Sequence, residues 1–188
     1  MNEFMIAALI SGYLLGSIPF GLIFTKLAGL GDIRKVGSKN IGTTNVLRIG
    51  GFKLALTTAI FDISKAVIAT IIFGELGGFA AVIGHNYPIW LKFKGGKGIA
   101  TTFGFLLGIS PVTFLISGSV WLSVVLISGY SSLGALSMLV IIPFIGFYYG
   151  NDYGLVCIAL TLLGFWRHHE NIVRLLNGTE SKVSWHKK

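Results

Sequence analysis

The sequence predicts an all-α, polytopic integral membrane protein with about seven transmembrane helices, and three observations predict it. Of its 188 residues, 53% are hydrophobic and 12% charged, with a mean hydropathy of +0.79. A soluble domain carries about 25% charged residues. Several runs of about 20 residues are nearly free of charge, which is the length that crosses a hydrocarbon core about 30 Å thick. The charges are also sorted: 15 Lys and Arg against 7 Asp and Glu give a net charge of +8, concentrated in a few connecting stretches. These connections are too short to form a soluble domain of their own, so residues 1–188 are expected to form a single membrane-embedded domain.

The first apolar run, 4–24, is preceded only by Met1, Asn2 and Glu3. A cleaved signal peptide would open on basic residues and have a shorter core, so a retained span is expected. Further spans are expected at 54–73, 78–91, 99–116, 117–128, 133–149 and 153–166. The stretch "GISPVTF" around Pro111 suits a turn and leaves the fourth and fifth helices short. Pro19 and Pro143 are expected to kink their helices rather than end them. Cys157 is the single cysteine, which excludes a disulfide within the chain.

With seven spans, every Lys and Arg except Lys65 falls in the loops of one side or in the C-terminal tail, whereas the other side receives Glu3, Glu75 and Asp152. Positive residues stay in the cytoplasm, so the N-terminus is expected outside and the C-terminus inside. Orientation and contact with anionic head groups would account for bare charge. Here the charge comes with glycines, amides and hydroxyls, in three places on the basic face.

The first is "VGSKNIGTTNVLRIGG", 36–51, where Ser38, Asn40, Gly42, Asn45 and Arg48 stand close together. Glycine lets backbone N–H groups approach an anion, and arginine offers a planar fork to phosphate oxygens. The alternative is an ordered re-entrant loop whose polar groups satisfy one another. The second is "GHNYPIWLKFKGGKG", 84–98. Gly95, Gly96 and Gly98 free the backbone, Lys94 and Lys97 supply charge, and a helix starting just after them would point its N-terminus at the same spot. This is not a Walker A loop, because Gly98 stands where Ser or Thr should follow the lysine. Nor is it an H-x-x-x-x-D acyltransferase box, because Trp90 occupies the acid's place after His85. Tyr87, Trp90 and Lys92 read as interfacial anchors. The third is "WRHHENIVRLLNG", 166–178. On a helix His168 and Asn171 share a face and His169 turns away, so a His/His/Glu metal site is disfavoured. Two smaller features remain. "GYSSLGAL" at 129–136 puts Ser131 and Ser132 in the last basic-side loop, and Asp62 and Lys65, i and i+3 inside the second span, can pair structurally.

Together these residues resemble the bacterial acyl-phosphate-dependent glycerol-3-phosphate acyltransferases of the PlsY family. "GSIPFG" at 16–21, "GSKNIGTTN" at 37–45, "GHNYPIWLKFKGGKG" at 84–98 and "RHHEN" at 167–171 match in order and spacing over almost the whole chain. The family often has Gly where this chain has Lys39, and Ala where it has Thr43. A positive φ at Lys39 would cost about 1–2 kcal/mol. The resemblance implies seven helices in the bacterial inner membrane and an active site facing the cytoplasm. It also implies the first acylation of phospholipid synthesis: glycerol 3-phosphate attacks a long-chain acyl phosphate, giving lysophosphatidic acid and inorganic phosphate. Carried over by motif, Arg48, Lys97, Ser132, His168 and Asn171 would hold the phosphates. Ser38, Asn40, Gly42, Asn45, His85, Lys94, Gly95, Gly96 and Gly98 would complete the pocket. No metal, cofactor or nucleic acid is implied, membrane lipid is a partner, and a monomer would suffice. An acyl phosphate is already activated, so no enzyme nucleophile is needed. For the base, His85, His168 and a substrate phosphate oxygen all remain open. The rival readings are a small anion transporter, which would place its site at the midplane between repeats, and a lipid-binding scaffold without chemistry.

Overall fold

The computed structural model describes residues 3–183, all of whose regular structure is helical. The chain divides into two compact units, 3–109 and 110–183.

The first unit opens with α1 (Glu3–Gly16) and α2 (Phe20–Leu27). Pro19 separates them rather than kinking one helix, contrary to the sequence expectation. It has no N–H, and its ring forces Ile18 out of the helical region, so the chain restarts with Pro19 as the N-cap of α2. Helix α3 (Thr43–Asn86) is one run interrupted by Gly51 (φ +77°) and Gly74 (φ +70°), conformations that glycine adopts without steric cost. The second expected span falls on the piece before Gly74. The third begins on the piece after it, but the helix ends at Asn86 rather than at 91, because Pro88 breaks it and leaves a separate 3₁₀ turn at Ile89–Leu91. Helix α1 lies directly on the last piece of α3. A methyl on Gly12 would strike the Gly77 carbonyl, and one on Gly16 the Ala81 carbonyl. Small residues four apart let two membrane helices approach this closely. After a loop carrying a 3₁₀ turn at Ile89–Leu91 comes α4 (Ile99–Ile109), whose Gly104 packs on the Ile63 carbonyl of α3.

The second unit comprises α5 (Pro111–Ser128), α6 (Ser131–Tyr149), α7 (Asn151–Arg167) and α8 (His169–Leu176). The expected boundary at 116/117 is corrected to Ser110, whose hydroxyl accepts the Thr113 N–H at 3.2 Å while Pro111 occupies the first helical position. Serine followed by proline is a strong helix start, and no such signal stands at 116. Ser131 and Ser132, expected in a loop, lie in the first turn of α6. Pro143 stays inside α6, as expected. It cannot donate to the Leu139 carbonyl one turn back, and that carbonyl accepts the Thr161 hydroxyl of α7 at 2.6 Å.

Among the described residues, Glu3–Leu27, Thr43–Leu91, Pro111–Ser128 and Ser131–Tyr149 are long and apolar enough to cross a membrane.

Candidate active site

In the first unit, the polar loop before α3 is organised around Asn45. Asp32 caps a 3₁₀ turn at Ile33–Lys35 and binds the Arg34 side chain, Nη2 to Oδ2 at 2.6 Å. The Arg34 hydrogen bond prevails over burial and holds the Asp32 carboxyl well below the usual carboxylate range. The chain then passes two left-handed residues, Gly37 (φ +62°) and Lys39 (φ +58°). The Asn45 side chain is 1% exposed. Its Oδ1 accepts the Ser38 N–H at 2.9 Å, and its Nδ2 donates to the carbonyls of Asn40 at 2.9 Å and Val36 at 3.1 Å. Asn40 Oδ1 in turn accepts the Gly42 N–H at 2.9 Å. These contacts give Asn45 a loop-building part, in line with the reading that the loop's polar groups satisfy one another. Ser38 is exposed, and Arg48, one turn further along α3, is half-buried.

The glycine run of the second motif folds back onto the end of α3. Gly95 N–H donates to the Asn86 carbonyl at 3.2 Å and Gly96 N–H to the His85 carbonyl at 3.0 Å. A side chain on Gly95 would collide with the His85 carbonyl, and one on Gly96 with Nε2 of the His85 ring. Gly98 has φ +80° and lies against the Asn86 amide. The two N–H groups expected to cradle an anion are thus committed within the chain, and these glycines are explained by close packing. Helix α4 begins at Ile99, directly after the loop, as expected. Lys97 is half-buried, whereas Lys92 and Lys94 are exposed. Lys92 and Phe93 are both left-handed, at φ +52° and +62°.

Beneath this loop lies a buried ionic cluster. Lys65 and Asp62, each with a side chain 1% exposed, pair at 2.8 Å. The Lys65 ammonium also reaches the Ile18 carbonyl at 2.9 Å and His85 Nδ1 at 3.0 Å. The carbonyl belongs to the residue that Pro19 displaces from the helix.

In the second unit, three donors from two helices converge on one carboxylate. Ser132 Oγ and Asn171 Nδ2 donate to Glu180 Oε1 at 2.8 and 2.7 Å, and Arg174 Nε donates to Oε2 at 2.7 Å. Burial raises the Glu180 carboxyl, but the bonds from Arg174, Ser132 and Asn171 prevail and lower it from its ordinary value. His168 sits at the junction of α7 and α8, 3% exposed, with Nδ1 at 2.8 Å from the Gly164 carbonyl. A carbonyl only accepts, so Nδ1 carries the proton and, in the neutral ring, Nε2 keeps its lone pair. His169 is exposed, as its helical position predicts.

This set of donors sits in a chain whose residues 6–178 match the glycerol-3-phosphate acyltransferase family. The chain belongs to that family. The glycerol-3-phosphate acyltransferase of Allorhizobium ampelinum is 50% identical over 192 residues, covering 95% of this chain and 92% of the relative. That of Sinorhizobium medicae is 50% identical over 186 residues, again covering 95% and 92%. The crystal structure of PlsY, an integral membrane glycerol 3-phosphate acyltransferase, superposes in its glycerol 3-phosphate form with a TM-score of 0.89 at 38% identity, over 96% of each chain. Its lysophosphatidic acid form superposes equally well at 36% identity. This family member is therefore an all-α integral membrane protein, and the transporter and scaffold readings fall away.

Sequence reasoning singled out Ser132, His168 and Asn171 but not Glu180 and Arg174, which the fold joins to Ser132 and Asn171. Glu180 is the one acid among residues 177–188, and that isolation was the available signal. The sequence paired Asp62 with Lys65 but did not connect them to His85, which is 20 positions further on.

Proposed function

We propose that the protein transfers a fatty acyl group from acyl phosphate to glycerol 3-phosphate, giving lysophosphatidic acid and inorganic phosphate. The observation that carries this reading is that the same fold, at a TM-score of 0.89, has been captured as PlsY in forms named for glycerol 3-phosphate and for lysophosphatidic acid. These are an acyl acceptor and its acylated product.

A glycerol 3-phosphate hydroxyl attacks the acyl carbonyl. The new C–O bond forms, the bond to phosphate breaks, and phosphate leaves with the electron pair. The hydroxyl proton passes to Nε2 of His168 or to a substrate phosphate oxygen, whose second pKa is about 6. Arg48 and Lys97 in the first unit, and Ser132, His168 and Asn171 in the second, are assigned to the phosphates and the developing oxyanion. The cations Arg48 and Lys97 and the Asn171 amide, as preorganised donors, offset the repulsion between two anionic substrates. Ser132 and His168 act as donors once the Ser132 proton leaves Glu180 and Nε2 of His168 is protonated. The second unit supports the assignment, since Ser132 and Asn171 already hold an oxyanion of their own chain, the Glu180 carboxylate. The apolar helices take the acyl tail from the bilayer. The site faces the cytoplasm at the inner membrane, following the charge asymmetry, and the reaction is the first acylation of phospholipid synthesis.

The test is turnover by purified protein in detergent or lipid, using an acyl phosphate and labelled glycerol 3-phosphate. Lysophosphatidic acid should form with acyl phosphate and little or none with acyl-CoA or acyl carrier protein. Comparable rates with a thioester donor would defeat the choice of donor, and no product with any donor would defeat the reading.

A further inference from the structure

The two buried histidines among the described residues carry their protons on opposite ring nitrogens. In His168, Nδ1 faces a carbonyl and so holds the proton. In His85, Nδ1 faces the Lys65 ammonium at 3.0 Å. An ammonium only donates, so Nδ1 of His85 must accept, and the ring proton resides on Nε2. Asp62 Oδ1 stands further from the same nitrogen, at 3.5 Å, and pairs with Lys65 at 2.8 Å. The Ile18 carbonyl fixes the ammonium from a third side. Nε2, the protonated nitrogen, is the ring atom nearest the side-chain position of Gly96, in the loop that carries Lys94 and Lys97.

We infer that Asp62 and Lys65 are positioning residues that hold His85 with its proton on Nε2, so that His85 serves the phosphate-binding loop as a hydrogen-bond donor and not as the base. The inference rests on the acyltransferase reading for its substrate. Ionisable side chains within a membrane span are costly and tend to be retained for function. This pair is buried to 1% in the middle of α3 yet ends on a ring against the loop. Pro19 makes the arrangement possible by turning the Ile18 carbonyl out of the helix toward Lys65.

The experiment joins nitrogen-15 NMR of histidine-labelled protein to steady-state kinetics. In the unmodified protein the His85 resonances, assigned by their loss in His85→Gln, should show an unprotonated Nδ1 and a protonated Nε2. Asp62→Leu/Lys65→Met replaces the buried pair by apolar groups of similar size, which a fold commonly tolerates. The double variant should lose the tautomer preference and raise KM for glycerol 3-phosphate roughly 2- to 10-fold, the loss of about one hydrogen bond, with kcat nearly unchanged. His85→Gln places an amide N–H near the Nε2 position and should keep most of kcat, whereas loss of a general base costs about 100-fold or more. A protonated Nδ1 in the unmodified protein would overturn the inference. So would an unchanged KM in a folded double variant, or a collapse of kcat in His85→Gln. Absence of turnover by the unmodified protein would count against the acyltransferase reading alone, because the NMR pattern still decides how His85 is held.

Discussion

Ser132 gives its hydroxyl proton to Glu180 across 2.8 Å. A serine has one proton, so while that bond stands Ser132 meets any ligand as an acceptor. Asn171 differs: its amide carries two protons, and the bond to Glu180 at 2.7 Å engages one of them. The Glu180 carboxylate therefore holds the Ser132 hydroxyl proton and one Asn171 amide proton.

Glu180 should make the protein acid-sensitive. Its folded value lies below its unfolded one, so its stabilisation is complete above the ordinary glutamate value of about 4.3 and is lost as pH falls through the lowered folded value. In thermal unfolding of the solubilised protein, the advantage of the unmodified chain over Glu180→Gln should be constant near neutral pH. It should shrink below pH ~4. A difference that is unchanged down to strongly acidic pH would show that the charge is not what Ser132, Asn171 and Arg174 hold.

Lys97 and Lys92 should separate kinetically. Lys97 is half-buried beside the glycine turn, and Lys92 is exposed. Losing a charge-assisted hydrogen bond costs about 1.5–3 kcal/mol, roughly 10- to 150-fold in rate if the bond acts in the transition state. Lys97→Ala should lower kcat/KM at least ~10-fold, and Lys92→Ala less than ~3-fold, as for an exposed cation. Equal small effects would leave the motif as an orientation signal.

The adjacent glycines should respond differently to a second mutation. A methyl on Gly96 meets the His85 ring, but a methyl on Gly95 meets the His85 backbone carbonyl. Shortening the ring with His85→Ala should therefore recover thermal stability lost in Gly96→Ala and recover none lost in Gly95→Ala. Equal recovery, or none in either pair, would contradict this packing.

Lys39 carries a left-handed backbone at φ +58°. The strain there is about 1–2 kcal/mol, and glycine gives back about 0.5–1 through its freer unfolded chain. Lys39→Gly should raise the unfolding temperature modestly, whereas Lys39→Ala should not. A lower temperature for the glycine variant would point to a contact made by the lysine side chain.

Membrane orientation is open to direct measurement. In a Cys157→Ser background, single cysteines at Asp152 and Lys182 should be labelled from opposite sides of intact cells, Asp152 from outside. Labelling of both from outside would overturn the orientation argued from charge and the span count.

The sequence carried the helices well wherever apolar length decided them, and less well where proline did. Pro19 and Pro143 look alike in composition, and both were expected to kink a helix. Pro143 stands mid-helix with apolar residues on each side, and Thr161 takes up the carbonyl it frees. Pro19 follows Gly16 and Ser17, weak helix formers, and the chain restarts. In the site, residue types were legible but their partners were not. Asn45, Gly95 and Gly96 look the same in sequence whether their polar groups face a ligand or their own chain, because that depends on contacts with Ser38, Asn86 and His85 that only folding creates. Glu180 escaped notice for a related reason: an acid in a basic tail reads as solvated until three donors are found around it.

The bond from Thr161 to the Leu139 carbonyl bears on how the chain enters the bilayer. Helix α6 leaves the ribosome before α7, and within lipid an unmatched carbonyl costs several kcal/mol. Until Thr161 arrives, α6 on its own is an incomplete transmembrane segment at the turn before Pro143. Only Gly150 separates α6 from α7, so the partner follows at once. The two helices thus form one hairpin that suits insertion as a single step, with the proline setting the register at which its second arm must dock.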